Sequence, residues 1–149
     1  MKKLISTSIV VFLMAIMNVS CSSKNDDVTI NQSELSTDSN TFLATYFKGI
    51  EISRIEKDVN SVNEYYEVYL ANGTQVDFTQ AGEWTDVDGN GKAIPTGFIL
   101  SNIIETVSSK YPNIAIEGIQ KVSEGFEVDL LNGVELLFDK GGNYLRVKD

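Results

Sequence analysis

The side chains in this sequence that could do chemistry are carboxylates and a single thiol, Cys21; histidine is absent. That inventory excludes Cys–His pairs, Ser–His–Asp triads and zinc sites built from His or Cys. With one cysteine, no disulfide can form within the chain. Carboxylates can work in pairs as acid and base, but none here stands at a motif spacing, so the chain is read as a non-enzyme. The nearest metal motif is Asp86-x-Asp88-x-Asn90-Gly91, which matches the first half of an EF-hand-like calcium loop. Gly97 holds the position of the bidentate Glu, and a turn rich in Asp and Gly explains the same residues. Asp86, Asp88 and Asn90 are therefore weak calcium candidates, and no other metal and no cofactor is expected. The Asn-Gly and Gly-Gly pairs lack any phosphate-loop spacing.

Charge narrows the partners. The chain carries 21 acidic and 12 basic residues, a net charge of -9. Loss of Lys2 and Lys3 with a signal would leave 10 basic residues against the same 21 acids, or -11. Such a surface repels nucleic acid and anionic membrane faces. It is also a plain solubility device.

The N-terminus reads as an export signal over residues 1–20. Met1, Lys2 and Lys3 form a basic start, and residues 9–17 form an apolar run too short to span a bilayer. Asn18-Val19-Ser20-Cys21 resembles the bacterial lipoprotein signal, although Asn18 stands where Leu is usual. The resemblance implies cleavage before Cys21 and diacylglycerol on its thiol, several acyl chains on one residue that anchor more strongly than a single chain. Residues 21–33 are mostly polar and are expected to be a flexible tether. Lys24, Asp26 and Asp27 are similar to surface-export signals of Bacteroidetes lipoproteins. The expected location is the outer membrane, lipid-anchored, on its periplasmic face or at the cell surface.

The elements behind the tether follow a repeating pattern. Tyr66-Glu67-Val68-Tyr69-Leu70-Ala71-Asn72-Gly73 recurs 60 residues later as Phe126-Glu127-Val128-Asp129-Leu130-Leu131-Asn132-Gly133. Phe78 and Phe138, Gly82 and Gly142, and Trp84 and Tyr144 keep the same offset. Alternation of apolar and polar residues predicts strands, and each Asn-Gly predicts a two-residue type I′ turn. Ile50, Ile52 and Ile55 match Ile114, Ile116 and Ile119 at an offset of 64, with four extra residues within 58–65. An amphipathic helix is predicted from Pro95-Thr96 to Tyr111-Pro112-Asn113, and Leu35, Phe42, Leu43, Tyr46 and Phe47 suggest its counterpart. The fold class expected is α+β, a tandem duplication of a helix plus a four-stranded antiparallel sheet. Its units are residues 34–88 and 95–149, joined by a linker at 89–94. Neither unit is large enough to be stable alone, so the sheets should join edge to edge or pack together.

Tyr111-Pro112, Ile116, the segment from Phe126 to Gly133, Phe138-Asp139, Gly142 and Tyr144 resemble the PepSY-like, beta-lactamase-inhibitor-like lipoproteins of Bacteroidetes. The first half departs from that pattern with Phe47-Lys48 and Phe78-Thr79. The resemblance implies a sheet surface of the kind used to grip a partner, and it transfers no activity by itself.

The function expected is a non-catalytic envelope or cell-surface lipoprotein that binds or inhibits a protein through a polar sheet face. Candidate contacts are Tyr65, Tyr69, Glu67, Glu127 and Asp129, although half-buried tyrosines and solvent-facing carboxylates need no partner. The partners expected are the membrane, through the lipid, and an unidentified envelope or extracellular protein. The alternative is a calcium-stabilised structural or adhesive protein, with a carboxylate-dependent enzyme behind it.

Overall fold

The computed structural model describes residues 28–148, so Cys21, the signal and most of the tether lie outside the described residues. Strand β1 (Val28–Thr29) leads into a 3-10 turn at Gln32–Glu34 and helix α1 (Thr37–Tyr46). There follow β2 (Ile52–Lys57), β3 (Tyr66–Leu70), β4 (Gln75–Phe78) and β5 (Trp84–Asp88). Helix α2 (Ser101–Lys110) precedes β6 (Ile116–Lys121), β7 (Gly125–Leu130), β8 (Glu135–Asp139) and β9 (Tyr144–Val147).

All nine strands belong to one antiparallel sheet in simple sequence order, β1 to β9. This corrects the expected tandem duplication of a helix plus four-stranded sheet: the described residues form a single nine-stranded sheet with two α-helices. The joint is β5 against β6, where Asp86, Val87 and Asp88 pair with Gln120, Ile119 and Gly118. Continuous pairing satisfies backbone groups that two separate sheets would leave on exposed edges. Within the expected tether of residues 21–33, Val28 and Thr29 pair with Lys57 and Glu56.

One face of the sheet carries the core. Tyr66, Val68, Leu70, Val76, Phe78 and Val87 share a buried cluster with Ile119, Val128, Leu130, Leu136 and Phe138. Leu43 and Phe47 in and after α1, and Ile103 and Val107 of α2, close that cluster from above. Trp84 ties the two ends together, with its ring 5.2 Å from Phe98 and 6.3 Å from Phe126.

Local chemistry sets the hairpins. The Asn-Gly turns are not type I′: Gly73 has φ 95°, whereas Asn72 stays outside the positive-φ region. Gly73 N–H donates to Leu70 O at 2.9 Å and Leu70 N–H to Thr74 O at 2.8 Å. That is a type I turn completed by a left-handed glycine, which adds a residue to the loop. Gly82 makes the same turn between β4 and β5, with its N–H on Thr79 O at 2.9 Å. Helix α1 starts at Ser36, whose Oγ accepts from Ser39 N–H at 3.0 Å. Helix α2 starts later than Pro95-Thr96 suggested, because Ile99 N–H bonds Thr96 O and closes a turn before it.

Candidate functional site on the open face of the sheet

Residues that alternate with the core positions point to the other face, which neither helix covers. The strand register lines them up in two rows. The first runs Glu56, Glu67, Asp77, Asp86, Gln120, Glu127, Leu137 and Arg146 across β2 to β9. The second runs Arg54, Tyr69, Gln75, Asp88, Gly118, Asp129 and Glu135, and Lys148 follows where its N–H bonds Glu135 O. Four carboxylates thus stand side by side from Glu56 to Asp86, an arrangement in which cross-strand neighbours repel.

Asp77 is the deepest of them at 4% exposure, and Gln75 Nε2 donates to its two oxygens at 2.9 and 3.3 Å. Burial pushes its carboxyl up to about 7; Gln75 pulls it down, while Asp86, Glu67 and Glu64 add to the rise. Asp86 accepts from Gln120 Nε2 at 3.1 Å. Its carboxyl is raised to about 6 by burial and then by Asp88, Asp129 and Glu64. The loop 58–65, which holds the extra residues, reaches this region: Thr85 Oγ1 donates to Asn63 O at 2.5 Å.

A second group forms around Asp129. Oxygens of Glu127, Asp129 and Glu135 lie within 4.8 Å of one another. Lys148 Nζ sits on Glu127 at 2.6 Å and on Glu135 at 3.3 Å. Asp129 Oδ1 is buried and, among the described residues, has no hydrogen-bond partner. Burial, then Glu127 and Glu135, raises its carboxyl to about 6, against the pull of Lys148. This arrangement can hold a proton or a cation, and it contains neither a thiol nor an imidazole to act as nucleophile.

The register brings Glu67, Tyr69, Glu127 and Asp129 onto this one face. Tyr69 Oη donates to Glu67 Oε2 at 2.7 Å, and the Arg54 guanidinium lies 4.1 Å over its ring. Burial, then Glu67, pushes the Tyr69 phenol up to about 12. Tyr65 lies apart, edge-on to Tyr66 and packed against the core cluster. Asp86 and Asp88 are strand residues on the open face, and Asp88 Oδ1 accepts from Asn90 N–H at 2.7 Å to close a turn. Gly97, at the position of the missing calcium ligand, lies against the Tyr46 ring on the helix side. Asp77, Glu135 and Lys148 were not singled out from sequence. The hairpin register was the available signal, since pairing Tyr66 with Phe78 sets Asp77 opposite Glu67.

Among the described residues, no helix is long and apolar enough to cross a membrane. Three solved structures are similar over nearly their whole length. A "putative calcium-regulated periplasmic protein" of Bacteroides thetaiotaomicron is 26% identical, with TM-score 0.78, covering 84% of this chain and 98% of that one. A "putative periplasmic protein" of the DUF2874 family from Bacteroides vulgatus is 26% identical, with TM-score 0.76, covering 85% and 99%. A further "putative periplasmic protein of unknown function" from Bacteroides vulgatus is 27% identical, with TM-score 0.74, covering 83% and 99%. No curated protein matches the sequence. These neighbours indicate no catalytic family. The profile described as "Putative beta-lactamase-inhibitor-like, PepSY-like" matches residues 64–146, from the loop before β3 through most of β9, and the chain belongs to that family.

Proposed function

We propose that the protein is a non-catalytic module of the cell envelope that binds or inhibits a partner protein through the open face of its sheet. The observation that carries this reading is the carboxylate row Glu56, Glu67, Asp77 and Asp86, which crosses four adjacent strands. Arg54 on Glu56 and the hydrogen bonds from Tyr69, Gln75 and Gln120 offset this negative charge only in part, and the excess favours a basic partner surface. Tyr69 supplies a rigid aromatic contact at the edge of the row. The lipid on Cys21 holds the module at the outer membrane, facing the periplasm or the exterior. Beta-lactamase itself is not the expected target. The test is cross-linking in envelope extract with the wild type and with Glu67→Lys/Glu127→Lys as baits. A partner captured by the wild type and lost by the charge-reversed bait supports the reading, and equal capture by both overturns it.

A second reading has a specific observation behind it. The Glu127, Asp129 and Glu135 oxygens converge within 4.8 Å, and Asp129 Oδ1 lacks a partner among the described residues. Together with the likeness to a protein described as calcium-regulated, this favours calcium on the same face, with oxygen ligands of the hard type it prefers. Calcium there would have to displace the Lys148 ammonium, and it would tune the charge offered to the partner.

A further inference from the structure

The two places where a helix end meets a strand are built alike, yet among the described residues only one is filled. After α1, Phe47 N–H bonds Leu43 O, Ile50 N–H bonds Phe47 O, and Ala71 N–H bonds Glu51 O at 2.8 Å. After α2, Tyr111 N–H bonds Val107 O, Ile114 N–H bonds Tyr111 O, and Leu131 N–H bonds Ala115 O at 3.1 Å. Ile52 pairs with Leu70 as Ile116 pairs with Leu130, each just before an irregular step in the register.

At the second place the connection between β5 and α2 completes the structure. Gly89 N–H bonds Glu117 O at 2.8 Å and Ile94 N–H bonds Ile116 O at 3.0 Å. The Ile94 side chain is 6% exposed and belongs to the core cluster with Val107, Ile116 and Leu130. At the first place the incoming chain follows β2 only as far as Ile30, whose N–H bonds Ile55 O at 3.1 Å. It then turns away at Gln32–Glu34. Among the described residues, therefore, no incoming strand pairs at Ile52 or Ser53, the places equivalent to Ile116 and Glu117. Beside Ile52 lies a pocket of about 640 Å³ lined by Leu43, Phe47, Ile52 and Leu70, together with the polar Asn40 and Glu51.

We propose that this groove receives an extended segment of another protein, which adds backbone bonds to the Ile52–Ser53 edge and seats one branched aliphatic side chain in the pocket. The occupant's chemistry follows from Ile94, which fills the equivalent place within the chain. Backbone bonds supply affinity and the pocket supplies selectivity, as in other strand-addition complexes. A second copy could not offer its own Ile94 without opening its core. The groove lies on the helix side of the sheet and does not depend on the acidic face.

The test uses a synthetic peptide of residues 89–98, which contains Ile94, titrated into the isotope-labelled full chain in mild detergent. Saturable amide shifts are expected at Leu43, Phe47, Ile52, Ser53 and Leu70. The same peptide carrying Ile94→Asp should bind at least about tenfold more weakly, a loss in the range expected for a buried aliphatic anchor. Ala44→Phe in the protein narrows the pocket from an exposed helix position and should weaken binding similarly, whereas Glu67→Lys should leave it unchanged. Equal binding of both peptides, shifts elsewhere, or no shifts at millimolar peptide would overturn the proposal. A dimer that Ala44→Phe dissolves would assign the groove to a second copy and overturn it as well.

Discussion

Glu67 and Asp77 are direct cross-strand partners on the open face of the sheet, and the second of them is almost wholly buried. Their like charges oppose each other where desolvation already disfavours charge. The fold therefore binds protons more tightly than the unfolded chain does.

Asp77 at about 7, and Asp86 and Asp129 at about 6, all stand above their ordinary 3.8. A raised acid contributes stability that is complete below its unfolded value and lost as pH rises through its folded value. The melting temperature should therefore rise on acidification from neutral pH toward pH 5, before the other carboxylates begin to titrate. Asp77→Asn keeps an acceptor for Gln75 and removes the charge. It should stabilise the protein near pH 7.5 by roughly 2 kcal/mol, less than the full shift implies, and flatten the pH profile. Equal pH profiles for variant and wild type in thermal melts would refute the assignment.

Calcium and Lys148 should compete. Removing the ammonium by Lys148→Ala leaves Glu127 and Glu135 without their shared cation. Under the calcium reading, calcium should then raise the melting temperature more in the variant than in the wild type, while magnesium should do less. If calcium shifts neither protein, that reading fails and the protein-binding one stands alone.

Gly82 supports the helix that caps the sheet. A Cβ there would meet Ser36 Oγ at 2.0 Å and Ser39 N at 2.9 Å, and its φ is 95°. Gly82→Ala should cost about 2–4 kcal/mol in urea unfolding, since it strains the turn and disturbs the N-cap of α1. Gly91 has φ 81° with nothing within 4 Å of its Cβ position. Gly91→Ala should cost only about 1 kcal/mol, from backbone strain alone. Similar losses at the two sites would show that the close approach to Ser36 is unimportant.

The anchor is tested by mass. Material extracted from membranes should begin at Cys21 and carry acyl groups, and Cys21→Ser should move the protein out of the membrane fraction. Intact-mass analysis that finds an unmodified Cys21 would overturn the lipid reading.

Much of the local structure was legible because strand alternation is a short-range signal. Glu67 and Tyr69 had to face away from Tyr66, Val68 and Leu70, whatever the tertiary fold. The turn type was missed because Asn-Gly permits two geometries. Strand register and the Thr74 carbonyl, more than the dipeptide itself, selected the form with one left-handed glycine. Asp77 was passed over for a related reason: an acid between Val76 and Phe78 looks solvent-facing until Gln75 binds it and its cross-strand neighbours Glu67 and Asp86 crowd it.

The sequence by itself determined the chemistry available: one thiol, no imidazole, an acidic balance, and strands with one apolar face each. It also carried the family signature. Only the tertiary structure decided that β5 and β6 join, because edge pairing depends on backbone groups that every residue shares and no side chain announces. That joint makes one sheet of nine strands and sets Asp86 beside Gln120, and so carries scattered carboxylates into a continuous face.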